Sequence, residues 1–452
     1  SMLCGTARAP ACDLDECPAM TRRRTLTACL LLLLLAVTAT AERALVLQGI
    51  RVEPAGGAAV AVRRLLPLAV GDVLDAHSLG EAQESLESSG VFESVHVYSE
   101  RGTTPGAVVL VVEAKLDRGV HLQTGFGHQP IDGWYLDLIG MRWNSPFRRG
   151  GHLRLGLRAG QRTSGTQARL EVPRLLGSGD FLVELSGLDE RWRIYEGLSV
   201  FEQTIAKSEL LVGARFGETG RKNMTVWLGG SSAEPSETVE AVDLADDEPA
   251  GRLVPLIGER QRYGTLGLDL RLFRQHPTMP WREGRSTALR LRSYSEEDGA
   301  RFGRADLEQA FAFPMPAASA FALQGRASIS SPETPYYLRP VFGGTSTVRG
   351  YRDASLSGAR GARAYWKLSG EWRMPLLAKD RADPRVLGVL FADAGRHWDA
   401  DGERQEMSAG VGYGLRIRVP WLQIFSVDVG IPLSEQRTGD DFWAHLRLGY
   451  GF

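Results

Sequence analysis

The sequence predicts a mainly β protein: a 16-stranded antiparallel transmembrane β-barrel preceded by one small α+β domain. Three observations predict it. An export leader opens the chain, strands of membrane-crossing length alternate apolar and polar residues along most of it, and the last strand alternates to a terminal aromatic. Composition agrees. The 452 residues carry 53 Lys+Arg against 54 Asp+Glu, a formal charge of −1, which argues against a protein that binds nucleic acid along a basic face. The 43% hydrophobic content is too high for a disordered chain. A mean hydropathy of −0.17 excludes a helical membrane bundle, which needs several runs of ~20 apolar residues.

Residues 1–41 read as an upstream extension and a signal peptide, with Met20 as the candidate start. Arg22-Arg23-Arg24 precedes the apolar block Leu30 to Val37, and Ala39-Thr40-Ala41 supplies the small residues of a cut site. The apolar block is too short to cross ~30 Å of hydrocarbon. Cys4, Cys12, Cys17 and Cys29 all precede the cut, so the mature chain has no disulfide, thiol nucleophile or thiolate metal site.

Residues 42–116 read as the α+β domain. Leu45 to Val52, Val91-Phe92 to Tyr98, and Val108 to Val112 have the β-branched content of three strands. Val62 to Leu68 and Ser78 to Ser88 read as helices. Ser78 is the expected N-cap of the second, with Glu81 completing a capping box and Gly90 stopping the helix.

Residues 117–452 read as the barrel. Leu153, Leu155 and Leu157 alternate with His152, Arg154, Gly156 and Arg158, and Leu266, Leu268, Leu270 and Leu272 alternate with Thr265, Gly267, Asp269 and Arg271. Met407 to Arg418 repeats the pattern. A soluble sandwich also alternates, so length decides. Runs of ten or more exceed the ~5–6 residues of a soluble strand and match the ~9–11 that cross a bilayer. Leucines then face lipid and charges face a wet lumen. Phe442, Ala444, Leu446, Leu448, Tyr450 and Phe452 form the closing alternation, with Gly449 and Gly451 between its last members.

Segments near 119–128, 133–143, 151–161, 165–173, 180–192, 199–216, 222–232, 259–273, 286–295, 302–313, 319–331, 363–374, 385–396, 406–418, 423–431 and 442–452 count sixteen strands if 199–216 is one strand and not two, the reading favoured by the even strand numbers of such barrels. If the first starts on the side of the small domain, the long acidic segment 234–258 and the long segment 332–362 fall on the outer side. The short turns 314–318 and 419–422 then fall inside, the usual asymmetry of such barrels.

Val348-Arg349-Gly350-Tyr351, preceded by Gly343-Gly344, lies in the long connection after the eleventh strand. Phe391-Ala392-Asp393-Ala394-Gly395 lies two strands later. These resemble the V-R-G-[FY] motif of the sixth outer loop and the F-x-D-x-G motif of the BamA/TamA superfamily. The 42–116 domain is similar to that family's POTRA modules through Gly49 after the first strand, Gly71-Asp72 between the helices, and Gly90-Val91-Phe92 before the second strand. Assembly factors of the family usually carry several such modules; this chain has room for one.

By alternation Asp393 shares an inward face with Phe391, and Glu371 with Lys367, Ser369 and Arg373. A guanidinium folded into the lumen needs a partner, so Arg349 is expected to meet Asp393, Glu371 or both, while Asp393 can alternatively pair with Arg416. The family implies the same contact. Gly350 permits a tight turn and Tyr351 packs on the inner wall. The role is a structural latch; no Ser/His/acid, H-E-x-x-H or phosphate-loop motif points to an enzyme or cofactor. Asp399-Ala400-Asp401-Gly402 resembles half a calcium loop but lacks the later Glu, and no metal site is expected.

The resemblance implies an outer-membrane assembly or translocation factor. Its POTRA domain, in the periplasm, receives unfolded outer-membrane or secreted polypeptides, with the strand near 93–99 as candidate free edge. Clients enter the membrane at the seam between the first and last strands. Periplasmic chaperones or accessory lipoproteins, the lipid bilayer and lipopolysaccharide are the implied partners. The alternative is a passive pore for small solutes.

Overall fold

The computed structural model describes residues 45–448 apart from 130–132, 146–150, 177–178, 197–198, 219–221, 243–259, 276–280, 359, 378–383, 419–423 and 435–440. The leader and the terminal residues Gly449, Tyr450, Gly451 and Phe452 lie outside the described residues.

The N-terminal unit runs β1 (Leu45–Glu53), α1 (Gly57–Leu65), β2 (Val73–Leu74), α2 (Ala76–Ser88), β3 (Phe92–Arg101) and β4 (Ala107–Leu116). Its sheet has the order β2-β1-β4-β3, with β1 and β4 parallel and the other pairs antiparallel. The sheet has four strands rather than the expected three, because the two-residue β2 pairs through Val73 and Leu74, too short a run to be seen as a period. The first helix spans 57–65, not 62–68: Pro67 pushes Leu66 into extended conformation, and Ala58, Ala61 and Val62 supply the buried stripe. The cap of α2 is Asp75 rather than Ser78. Its carboxylate accepts from the Ser78 N–H at 2.7 Å while the Ser78 hydroxyl reaches back to Asp75, so Ser78 fills the third helical position assigned above to Glu81. Gly90 follows the helix at φ 61° and Gly71 turns at φ 100°, whereas Gly49 lies inside β1 at a register shift. Leu47, Val62, Leu86, Leu110 and Val112 form the sealed core, and β3 is an outer strand of the sheet.

The barrel strands are β5 (Val120–Gln129), β6 (Gly133–Asn144), β7 (His152–Gly160), β8 (Thr163–Leu176), β9 (Gly179–Glu196), β10 (Ser199–Glu218), β11 (Lys222–Val242) and β12 (Gln261–Gln275). They continue as β13 (Gly284–Glu296), β14 (Arg301–Pro314), β15 (Ala320–Ser330), β16 (Ala364–Leu377), β17 (Val386–Trp398), β18 (Arg404–Arg418), β19 (Ile424–Pro432) and β20 (Trp443–Leu448). Each pairs antiparallel with the next in one 16-stranded up-and-down sheet. The 199–216 segment is indeed one strand, hairpinned to β11. β11 runs on to Val242, so Glu234, Glu237 and Glu240 belong to a paired strand rather than to the acidic connection expected there. The end facing the N-terminal unit is the proximal end below, and the end bearing the 331–363 connection is the distal end.

The alternation has its physical counterpart in exposure. Leu228, Leu266, Ile329, Leu368 and Tyr413 stand half or more exposed on the outer face. Thr265, Ser328, Lys367, Ser369, Asp393 and Asp428 are buried on the inner face. An outer wall of exposed leucines over a polar interior is the inverse of a water-soluble protein and suits hydrocarbon outside.

Candidate functional site

The 331–363 connection folds into the lumen. Gly343 and Gly344 take φ 107° and 90°, and the Gly344 N–H closes a turn on the Val348 carbonyl at 3.0 Å. The turn carries Arg349 to the inner wall of β16–β19, halfway along the barrel. There Nε and Nη2 donate to the two oxygens of Asp393 at 2.7 and 2.8 Å, and the Arg349 backbone N–H adds a third bond to the same carboxylate at 3.0 Å. Nη1 donates to Glu371 at 2.8 Å and Nη2 to the Ser369 hydroxyl at 3.0 Å. The guanidinium also lies 3.7 Å from the centre of the Phe391 ring, a cation–π contact. Burial opposes the Arg349 charge, yet the bonds and charge of Asp393, with Glu371 and Asp428 behind it, hold the proton more firmly than in a free arginine.

The neighbours of Arg349 are fixed as tightly. Gly350 turns at φ 100°, and its N–H donates to His445 Nε2 at 3.2 Å. That nitrogen therefore carries no proton, and Nδ1 donates to the Thr345 hydroxyl at 2.8 Å. Tyr351 is 1% exposed beside Phe342, Val348, Ala362 and Tyr365, with its hydroxyl donating to the Ala409 carbonyl at 3.1 Å. The wall is cut to fit: a Cβ at Gly410 would come within 2.0 Å of the Arg349 carbonyl. Gly395 leaves room for the Phe342 ring, which would come 2.9 Å from a Cβ placed there.

Sequence reasoning missed the rest of this network. Arg416 binds Asp428 through two bonds of 2.6 and 3.1 Å, so it is not the partner of Asp393. Arg373 binds the second oxygen of Glu371 at 2.9 and 3.0 Å. Three arginines and three carboxylates thus interlock across β16, β17, β18 and β19, with every carboxylate charge matched. Asp428 stands on the inward face of β19, and its parity was the only available signal.

The same connection reaches the opposite wall. Tyr336 donates to Gln203 of β10 at 2.5 Å, and the hydroxyls of Tyr337 and Tyr263 of β12 bond one another. Tyr263, Tyr294 and Phe302 pack edge-on and stacked behind them. The connection therefore bridges the lumen from β10–β12 to β16–β20.

At the proximal end the N-terminal unit is docked on the barrel. Arg64 of α1 binds Glu171 of β8, and its Nε lies 3.2 Å from Asp180 of β9; Arg215 of β10 binds the same two acids at 2.5 and 3.0 Å. The Gly90 carbonyl accepts from Arg142 and from Asn144, each at 3.1 Å. Asn144 also donates to Asp117, in the link between β4 and β5. Burial works against the Asp117 carboxylate, but the Gly119 N–H, Asn144 and His121 bonds outweigh it and hold its pKa below the ordinary value.

The ends of the sheet, β5 and β20, lie side by side, but no ladder joins them among the described residues. Leu446 and Leu448 pair with Val427 and Phe425 of β19. Of the residues singled out in the sequence, the structure brings together Val348, Arg349, Gly350, Tyr351, Glu371, Phe391, Asp393 and Gly395. Gly49, Gly71 and Phe92 belong to the N-terminal unit and make no part of this cluster.

The Omp85 superfamily domain matches residues 278–452. No curated protein matches the sequence. Among solved structures, BamA from Haemophilus ducreyi lacking POTRA domains 1–3 superposes with a TM-score of 0.60 at 14% identity, over 89% of this chain and 84% of that one. CdiB from Escherichia coli gives 0.56 at 15%, over 89% and 75%. CdiB from Acinetobacter baumannii gives 0.54 at 15%, over 90% and 73%. At these identities the likeness is one of fold.

Proposed function

We propose that this chain is an Omp85-type barrel of the BamA/TamA kind, an outer-membrane factor that inserts or translocates polypeptides. The N-terminal unit is read as a POTRA module in the periplasm that receives unfolded clients, delivered with the help of chaperones or accessory lipoproteins. Its outer strand β3 offers main-chain donors and acceptors that a client segment of any sequence can pair with. The seam between β5 and β20 is the proposed exit into the membrane. The observation that carries this reading is the missing ladder at that seam among the described residues. Each N–H or C=O left unpaired toward hydrocarbon costs several kcal/mol, so a client strand is a favoured guest there. The Arg349 network is the proposed latch that keeps the β16–β19 wall, beside the seam, rigid while the seam opens.

A passive pore is the weaker reading, because the 331–363 connection occupies the lumen from one wall to the other. The test is depletion of the protein followed by a quantitative outer-membrane proteome. The proposal expects loss of particular barrel proteins, surface lipoproteins or secreted polypeptides. An unchanged proteome with altered solute uptake would establish the pore instead.

A further inference from the structure

A groove of about 490 Å³, open to the outside, crosses the outer face of β13–β17 near the distal end. Small side chains make it. Ala305, Ala327 and Ala364 stand on successive strands β14, β15 and β16, where their neighbours carry large apolar groups. Leu307 and Ile329 wall the depression, 45% and 58% exposed, and Trp398 closes its distal side. Asp306, Ser328 and Tyr365 also line it, Ser328 and Asp306 bonded to one another, and Arg363 stands at the distal rim. The Arg363 guanidinium lies against the Gly402 turn, where a Cβ on Gly402 would come 2.7 Å from its Nη1. Among the described residues it makes no ion pair. Arg396, opposite Trp366 and Met407 in the ladder and so on the same outer face, has a buried Nε with no hydrogen-bond acceptor. Arg404 faces Trp398 across the β17–β18 ladder. The acids of the adjoining turn are largely engaged: Asp401 binds Arg360, and Asp399 accepts from the Asp401 and Glu403 N–H groups and from Gln405. Arg363 lines the groove itself, and Arg396 and Arg404 flank Trp398, one two residues before it on β17 and the other opposite it on β18.

We propose that this groove binds one anionic phosphate-bearing lipid of the outer leaflet, its acyl chain along Ala305, Ala327 and Ala364 and its phosphate at Arg363, with Arg396 and Arg404 beside it. The proposal rests on the outer-membrane reading above. An apolar trough accepts any acyl chain; selectivity comes from guanidinium donors, which match phosphate oxygens in two-pronged fashion. A tryptophan at the same level suits the boundary between acyl chains and head groups.

The test uses the full mature chain reconstituted in nanodiscs of phosphatidylcholine containing lipid A or, separately, phosphatidylglycerol, with retained lipid read by native mass spectrometry. The wild-type chain is expected to keep one lipid A molecule. The Arg363→Gln/Arg396→Gln double variant and Ala327→Trp, which fills the trough, are each expected to lower its retention at least tenfold. Because both substitutions face outward, unchanged heat-modifiable gel mobility certifies the fold. Equal retention by all three chains, or equal retention of phosphatidylcholine and lipid A, overturns the groove while leaving the outer-membrane reading intact. Failure of the chain to enter any bilayer overturns both.

Discussion

Arg349 and Asp393, 44 residues apart in sequence, meet through two side-chain bonds of 2.7 and 2.8 Å and a third from the Arg349 backbone. With 6% and 1% of their side chains exposed, neither charge has water to fall back on. Removing one partner of such a buried pair typically costs about 3–5 kcal/mol, because it strands the other charge. Arg349→Ala is therefore expected to lower the temperature of the heat-modifiable mobility shift markedly. Arg349→Lys is expected to rescue little of it, since an ammonium cannot span both Asp393 oxygens and Glu371 together. Unchanged mobility in both variants would remove the latch.

Gly410→Ala tests the fit of the wall without touching a charge. The added Cβ meets the Arg349 carbonyl at 2.0 Å, so the turn must lift or β18 must move. A loss of about 1–3 kcal/mol is expected, as for other overpacked sites, read in the same mobility assay.

Arg64→Ala is expected to loosen the N-terminal unit from the barrel. Glu171 and Asp180 keep Arg215 but lose the one cation that comes from α1. The expected result is several-fold faster tryptic cleavage at Arg118, in the link between β4 and β5, with the barrel's own heat resistance little changed. An unaltered cleavage rate would mean that the Gly90 contacts with Arg142 and Asn144 suffice to hold the unit.

Asp353, in the 331–363 connection, gives a pH signature. Burial pushes its pKa up from 3.8 to about 6, although the Thr345 N–H, Arg162 and Arg447 favour the charge. A carboxyl whose folded pKa is raised binds its proton more tightly when folded. Its contribution is thus intact below about pH 4 and is lost as pH rises to about 6. Asp353→Asn keeps an oxygen for the Thr345 N–H, so it is expected to be more heat-resistant than wild type at pH 7.5. The difference should vanish near pH 4; a constant difference across that range would refute the assignment.

Much of this architecture was legible in the sequence. A strict two-residue period is a local property: it marks which side chains share a face whatever the strand's neighbours are, so the inward faces of Asp393 and Glu371 followed from alternation alone, while the count of sixteen also needed the even strand numbers of such barrels to merge 199–216. Helix limits were less legible, because Pro67 and the Asp75 cap act through one or two residues that a hydrophobic pattern does not weigh.

The sequence by itself determined a barrel of sixteen strands, its inner and outer faces, and an arginine in want of a buried acid. Tertiary structure decided who meets whom across the lumen: Arg416 with Asp428, His445 with Gly350, Tyr337 with Tyr263, and Arg64 with Glu171. The reason is geometric. Period fixes the direction of a side chain, whereas the curvature of the sheet and the path of the 331–363 connection fix which distant strands it reaches.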